Sequence, residues 1–100
     1  MKLTNEFESI IKWADERGIL ESGTTYKQFL KLQEESGELA QGLLKQNQEL
    51  IEDSIGDCVV VLTILAKLSG TSIEECINKA YGEIAARTGQ MKNGVFVKDK

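Results

Sequence analysis

Two acidic groups are the residues of this chain best suited to chemistry. Glu34, Glu35 and Glu38 fall close together in "KLQEESGELAQGLL" (Lys31 to Leu44). Glu52, Asp53 and Asp57 follow in "EDSIGD", just ahead of the most apolar stretch of the chain. Carboxylates so placed are either solvated helix charges or the ligands of a cation. The chain has no histidine. That removes Ser-His and Cys-His nucleophilic sites, zinc sites with imidazole ligands and Glu-x-x-His di-iron sites. Any chemistry therefore falls to carboxylates, lysines, arginines and a hard metal ion.

Helical geometry separates the glutamates. At about 100° per residue, Phe29, Leu32, Leu39 and Leu43 lie within roughly 80° of one another and define a buried stripe. Glu35 lies about 40° beyond one edge of that stripe, Glu38 about 60° further round, and Glu34 almost opposite. Glu34 is thus expected in solvent, whereas Glu35 and Glu38 share one flank with Gln28 and Lys31. Two glutamates at i, i+3 repel each other by a few tenths of a kcal/mol when exposed and by more when half-buried. Taken alone, that pattern is common on helices, and water and Lys31 can absorb the repulsion.

The second group adds weight. Asp53 and Asp57 are i, i+4 neighbours, and Asp57 opens directly onto Cys58, Val59 and Val60. Asp is a poor residue for a helix interior, and Gly56 beside it costs helix stability too. Two locally unfavourable choices together mark a site. Gly56 is expected to admit a close approach by another backbone or a ligand. If the two helices run antiparallel across a short turn, Glu38 faces Asp53 and Asp57, and three or four carboxylates converge. With oxygen donors alone the matching cation is hard, Mg²⁺ first and Mn²⁺ second.

The elements that must position these acids follow from length and composition. A chain of 100 residues with 41% hydrophobic and 28% charged residues and no proline suggests one helical domain, residues 1–100. The net charge of −4 argues against a nucleic-acid surface. No apolar run reaches the roughly 18 residues of a membrane span, and the N-terminus lacks a signal-peptide pattern, so the expected compartment is the cytoplasm. Cys58 and Cys76 lie in apolar helical patterns and are expected to be buried free thiols.

Four helices are predicted. The first runs from Thr4 as N-cap to about Arg17, with Gly18 ending it and Trp13 beside its apolar face. After a loop (Gly18 to Thr25), the second runs from a Thr24 or Thr25 cap to about Lys45. The third runs from about Glu49 to Leu68. The fourth opens on a Ser72–Glu75 capping box and ends near Arg87, with Gly89 as a C-cap candidate. Asn93-Gly94 then signals a small hairpin or extended arm. The third helix is apolar nearly all round, which a small chain cannot cover alone. The fold expected is all-α, an antiparallel four-helix bundle-like protomer completed by oligomerisation.

"EESGEL" on one helix and "DSIGDCVVVLTILAKLSG" on the next resemble the MazG-like family of all-α nucleoside triphosphate pyrophosphohydrolases. The resemblance covers roughly Gln28 to Arg87, and the tail "YGEIAARTGQMKNGVFVK" is similar to the small phage and prophage branch. The family pattern is Glu-Glu-x-x-Glu, a gap, then Glu-x-x-Asp. It implies metal ligands at Glu35, Glu38 and Asp57. At the fourth family position Ser54 replaces Glu, and Asp53, about 40° from Asp57 on the wheel, is the candidate to supply the missing carboxylate.

The implied reaction is Mg²⁺-dependent hydrolysis of a (deoxy)nucleoside triphosphate to the monophosphate and pyrophosphate, in nucleotide-pool housekeeping. Glu38 or Asp53 would orient the attacking water. Lys31, Lys79 and Arg87 are the candidate polyphosphate cations, and Gln28 and Trp13 the candidate base contacts. The family also implies self-association to a dimer or tetramer, while charge and hydropathy lead us to expect neither nucleic acid nor membrane as partner. The alternative expectation is a catalytically weakened nucleotide-binding or regulatory protein of the same fold, favoured by Ser54.

Overall fold

The structure, a computed structural model, describes residues 4–100. The side chain of Thr4, expected as the first N-cap, lies outside the described side chains. The element order is α1 (Thr4–Glu16), α2 (Ile19–Ser22), α3 (Thr25–Leu44), α4 (Gln48–Leu68), α5 (Ile73–Ala85), β1 (Gly89–Lys92) and β2 (Val95–Lys98). Helix α2 is one more than expected and occupies the segment read as loop. Gly18, in the left-handed region at φ 75°, turns the chain out of α1. The Gly23 N–H then donates to the Ile19 carbonyl at 2.7 Å, closing a single turn. A Cβ at Gly23 would collide with that carbonyl oxygen.

The longer helices start where side-chain acceptors meet orphan N–H groups. The Thr24 hydroxyl accepts from the Lys27 N–H at 3.1 Å, and the Asn47 carboxamide oxygen accepts from the Leu50 N–H at 3.1 Å. Ser72 caps α5 in the same way through the Glu75 N–H at 3.1 Å. The predicted capping box is only half made, however. The Glu75 carboxylate accepts from the Thr71 hydroxyl at 2.8 Å, where a full box would engage the Ser72 N–H. Helix α3 ends in a Schellman turn, with Asn47 N–H donating to the Gly42 carbonyl and Gln46 N–H to the Leu43 carbonyl. Gln46 holds the left-handed position usually given to glycine, at φ 53°.

Helices α3 and α4 form the central pair. Gly42 lies against Leu50 and Ile51 near the turn, and Glu35 meets Asp57 further along, so the two run antiparallel. A Cβ on Gly42 would sit 3.2–3.3 Å from Ile51 and Leu50, tighter than ordinary packing. The missing side chain thus lets the helices close at this end. The buried core consists of Ala14 from α1 with Val61, Thr63, Ile64 and Ala66 from α4. Thr63 satisfies its hydroxyl by donating to the Val59 carbonyl at 2.7 Å.

The expected stripe on α3 is only partly covered. Leu32 and Leu39 are half-buried, but Phe29 is 50% and Leu43 58% exposed. On α4, Ile55, Val59 and Leu62 are also exposed. The reason lies in α5, which turns through 102° from α4 and has no buried residue. It therefore does not close a fourth side over the α3–α4 pair. Cys58 and Cys76 are both free, as expected, but Cys58 is half-buried and Cys76 exposed because nothing covers α5. Among the described residues no single helix is long and apolar enough to cross a membrane.

Helix α5 stops at Ala85, with Ala86 as C-cap, short of the expected end near Arg87. Gly89 is not its cap. It opens β1, where a Cβ would strike the Val97 carbonyl oxygen and lie 2.7 Å from the Phe96 ring. The strands pair antiparallel with Met91 opposite Phe96 and Lys92 opposite Val95. Asn93 and Gly94 form the two-residue connection, with φ of 52° and 81°, the positive pair a type I′ turn requires.

Candidate metal centre

The antiparallel α3–α4 pair brings three of the sequence-predicted carboxylates together. Glu35, Glu38 and Asp57 each offer an oxygen within 4.8 Å of the others. Helical spacing does this locally. Glu35 and Glu38 share one flank of α3 one turn apart, and the register carries Asp57 of α4 to the same level. Their environments form a gradient, with Glu35 buried, Asp57 half-buried and Glu38 exposed.

Glu35 is 7% exposed. The Lys31 ammonium stands 3.4 Å from its Oε1 and 3.5 Å from the Oε1 of Glu34. Oε2 is buried and has no hydrogen-bond partner. The charges of Glu34 and then Glu35 hold the Lys31 ammonium above its ordinary range. Partial burial, followed by the charges of Asp53 and Glu35, pushes the Asp57 carboxyl above the usual range, against a smaller opposing effect of Lys31. The crowding favours a proton or a cation at Asp57 over bare like charges.

Ser54, at the position where the family has its fourth carboxylate, is 1% exposed, and its Oγ also lacks a hydrogen-bond partner. Elsewhere in the helices Thr63 and Ser69 return their hydroxyls to the carbonyl four residues back. Ser54 lies one turn before Asp57 and leaves its hydroxyl unspent. An unpaired buried polar group costs about 1–3 kcal/mol. Three converging carboxylates, one of them with a buried unpaired oxygen, form an oxygen-only donor set that fits a hard divalent cation.

The other predicted residues lie around this centre or away from it. Asp53 is outside the three-carboxylate group. It lines an open hollow with Asn47, Glu49 and Leu50, one turn from Asp57, and acts on Asp57 through its charge. Gln28 is half-buried on α3, one turn before Lys31. Trp13 is stacked under the Arg17 guanidinium, 4.5 Å from its ring centroid, and its carbonyl accepts from Arg17 at 3.2 Å. Lys79 on α5 and Arg87 just after it are carried away from α4 by the 102° bend. The space beside Gly56 is open, so the close approach expected there does not occur within the chain. The close approach is at Gly42 instead. Its place two residues before the end of α3 is the available sequence signal. A groove of about 570 Å³ lies between α1, the C-terminal half of α4 and the start of α5, with Phe7, Ile11, Leu20 and Ile73 in its wall.

A helical pair presenting a cluster of carboxylates is the feature to compare with known proteins, and that comparison names the class. Residues 23–91 match the MazG nucleotide pyrophosphohydrolase domain, and the chain belongs to that family. An uncharacterized 18.2 kDa protein from the rep-hol intergenic region of Haemophilus phage HP1 (strain HP1c1) is 52% identical over 60 residues. The match covers 60% of this chain and 37% of that protein, so the chain spans well under two thirds of its relative's length. The likeness to a phage protein supports the phage-type branch. No solved structure matches it.

Proposed function

We propose that this chain hydrolyses nucleoside triphosphates, deoxynucleotides in particular, to the monophosphate and pyrophosphate with Mg²⁺, Mn²⁺ serving as a substitute. The observation carrying this reading is the convergence of Glu35, Glu38 and Asp57 around a buried carboxylate oxygen without a partner. Membership of a nucleotide pyrophosphohydrolase family supports it. When bound, Mg²⁺ neutralises phosphate oxygens and makes a water more acidic. The chain's own residues do the rest. Glu35, Glu38 and Asp57 hold the cation, and burial fixes Glu35 in place. Asp53 or Glu38, at the exposed edge, orients the attacking water and takes its proton. Attack at the α-phosphorus then breaks the α–β phosphate bond and releases pyrophosphate.

Ser54 would hold a water where the family's fourth carboxylate stands. Lys31, Lys79 and Arg87 are the candidate phosphate cations, with Gln28 and Trp13 toward the base. The apolar side chains left exposed on α3 and α4 support self-association to a dimer or tetramer. The free thiols support a reducing cytoplasmic setting.

Ser54 also favours a second reading, a nucleotide-binding regulator with weakened catalysis. Turnover by the unsubstituted protein separates the two, and Asp53→Asn tests the role of that residue. In an enzyme it lowers pyrophosphate release at least about tenfold while Mg²⁺ still binds. Nucleotide binding without turnover in the unsubstituted protein supports the regulator. Undiminished turnover in Asp53→Asn removes that residue's catalytic role.

A further inference from the structure

The carboxylate centre is poor in positive charge. Lys31 stands against it, and its ammonium is already paired with Glu34 and Glu35. A triphosphate carries several negative charges and needs fixed cations that are free to meet it. The rest of the chain holds them elsewhere. Residues 87–100 contain four cations and one acid, a charge of +3, while the whole chain is −4, so the remainder carries −7. Of that remainder, −5 lies between Lys31 and Asp57, where seven acids face two lysines.

The basic segment is also the least supported part of the fold. The hairpin packs on no helix beyond marginal contact, and Met91, Val95, Phe96 and Val97 are all exposed. Met91 and Phe96 share one face, and Val95 and Val97 the other. An isolated two-stranded hairpin is marginal in water, so such faces call for cover. Helix α5 carries the hairpin outward for about 20 Å, at 1.5 Å per residue, along a direction bent 102° from α4. Asp57 lies near the middle of α4, about 16 Å from that bend, and the arm leaves the α4 axis there nearly at a right angle. Strand β2 falls beyond the residues the family domain matches.

We infer that the C-terminal hairpin docks on a second copy of this chain against the acidic α3–α4 edge, with Lys92, on the face of Val95 and Val97, supplying the partner's site with a cation for the polyphosphate, and Lys98, on the opposite face, adding to the basic charge that holds the hairpin there. The catalytic part of this inference rests on the proposed hydrolysis. The docking part rests on charge, exposure and the lack of packing between the hairpin and its own helices.

Two measurements test the parts separately. In the first, equal amounts of ¹⁴N- and ¹⁵N-labelled full-length protein are mixed and joined by carbodiimide, and the products are read by mass spectrometry. Crosslinks of mixed isotope between Lys92 or Lys98 and Glu34, Glu38 or Asp53 are expected. Same-isotope crosslinks alone, or none from these lysines to α3–α4, overturn the docking whether or not the protein is an enzyme. In the second, Glu35→Gln is mixed with the double variant Lys92→Glu/Lys98→Glu, each expected to be impaired alone. If the arm acts in trans, random pairing restores about a quarter of the unsubstituted turnover, because half of the dimers carry one intact site with one intact arm. No recovery, or full activity in the lysine variant alone, overturns the catalytic role. Mixed-isotope crosslinks in a protein that hydrolyses no triphosphate leave the docking standing and overturn the polyphosphate role.

Discussion

Glu35 is the costliest side chain of the centre, a buried carboxylate with one oxygen on a lysine and the other unpaired. Asp57 and Glu38 crowd it with like charge. Without metal, replacing Glu38 by Gln removes part of that repulsion and is expected to stabilise the fold by about 0.5 kcal/mol. The same change is expected to abolish the rise in melting temperature that millimolar Mg²⁺ gives the unsubstituted protein. Ser54→Ala removes a buried hydroxyl with no partner. It is expected to raise metal-free stability by about 1 kcal/mol while lowering turnover by about tenfold or more. Urea denaturation and pyrophosphate release measure the two effects.

The pH dependence follows from Asp57, whose folded pKa is raised by burial and by the neighbouring acids. The folded chain binds this proton more tightly than the unfolded one. The contribution to stability is therefore present at low pH and is lost as pH rises from about 3.9, the ordinary carboxyl value, through the raised value. Metal-free protein should show this loss between acid and neutral pH in thermal melts, and Asp57→Asn should flatten it. Mg²⁺ must displace the same proton, so its affinity is expected to fall on acidification over that window.

At the scale of elements, the α3–α4 hairpin makes the site, and its geometry depends on how the two helices close. Gly42→Ala would press a methyl group against Ile51 and Leu50, and is expected to cost about 1–3 kcal/mol. Gln46→Gly relieves a left-handed residue and is expected to stabilise by about 0.5–1 kcal/mol. Denaturant midpoints check both.

The hairpin pair was largely legible in the sequence. The caps at Thr24 and Ser72 and the Asn93-Gly94 turn are local signals, and the structure uses all three. The wheel separated Glu35 from Glu34 because a 100° step suffices to place adjacent residues on different faces. Other features depend on contacts between distant segments and escaped that reading. Gly56 and Gly42 look alike in one dimension, and only the register of α4 on α3 shows that space is tight at Gly42. Gly89 read as a helix cap because its partner, Phe96, lies across a strand pair that local pattern cannot place.

At the scale of the molecule, the exposed apolar residues of α3, α4 and α5 are the faces that the proposed self-association would cover. Phe29, Leu43, Val59, Leu62, Ile77 and Tyr81 are spread over three helices, and a bundle of one chain leaves them wet. Light scattering at micromolar concentration is expected to give a dimer or tetramer. A monomer would leave these faces without explanation.

The most direct test is pyrophosphate release from a panel of ribo- and deoxynucleoside triphosphates, with Mg²⁺ and with Mn²⁺, comparing the unsubstituted protein with Glu35→Gln. At least one triphosphate should yield equal amounts of monophosphate and pyrophosphate. That turnover should fall at least about a hundredfold in Glu35→Gln. Release of no pyrophosphate from any triphosphate, or unchanged release by Glu35→Gln, would contradict the assignment of the α3–α4 carboxylates as a pyrophosphohydrolase centre.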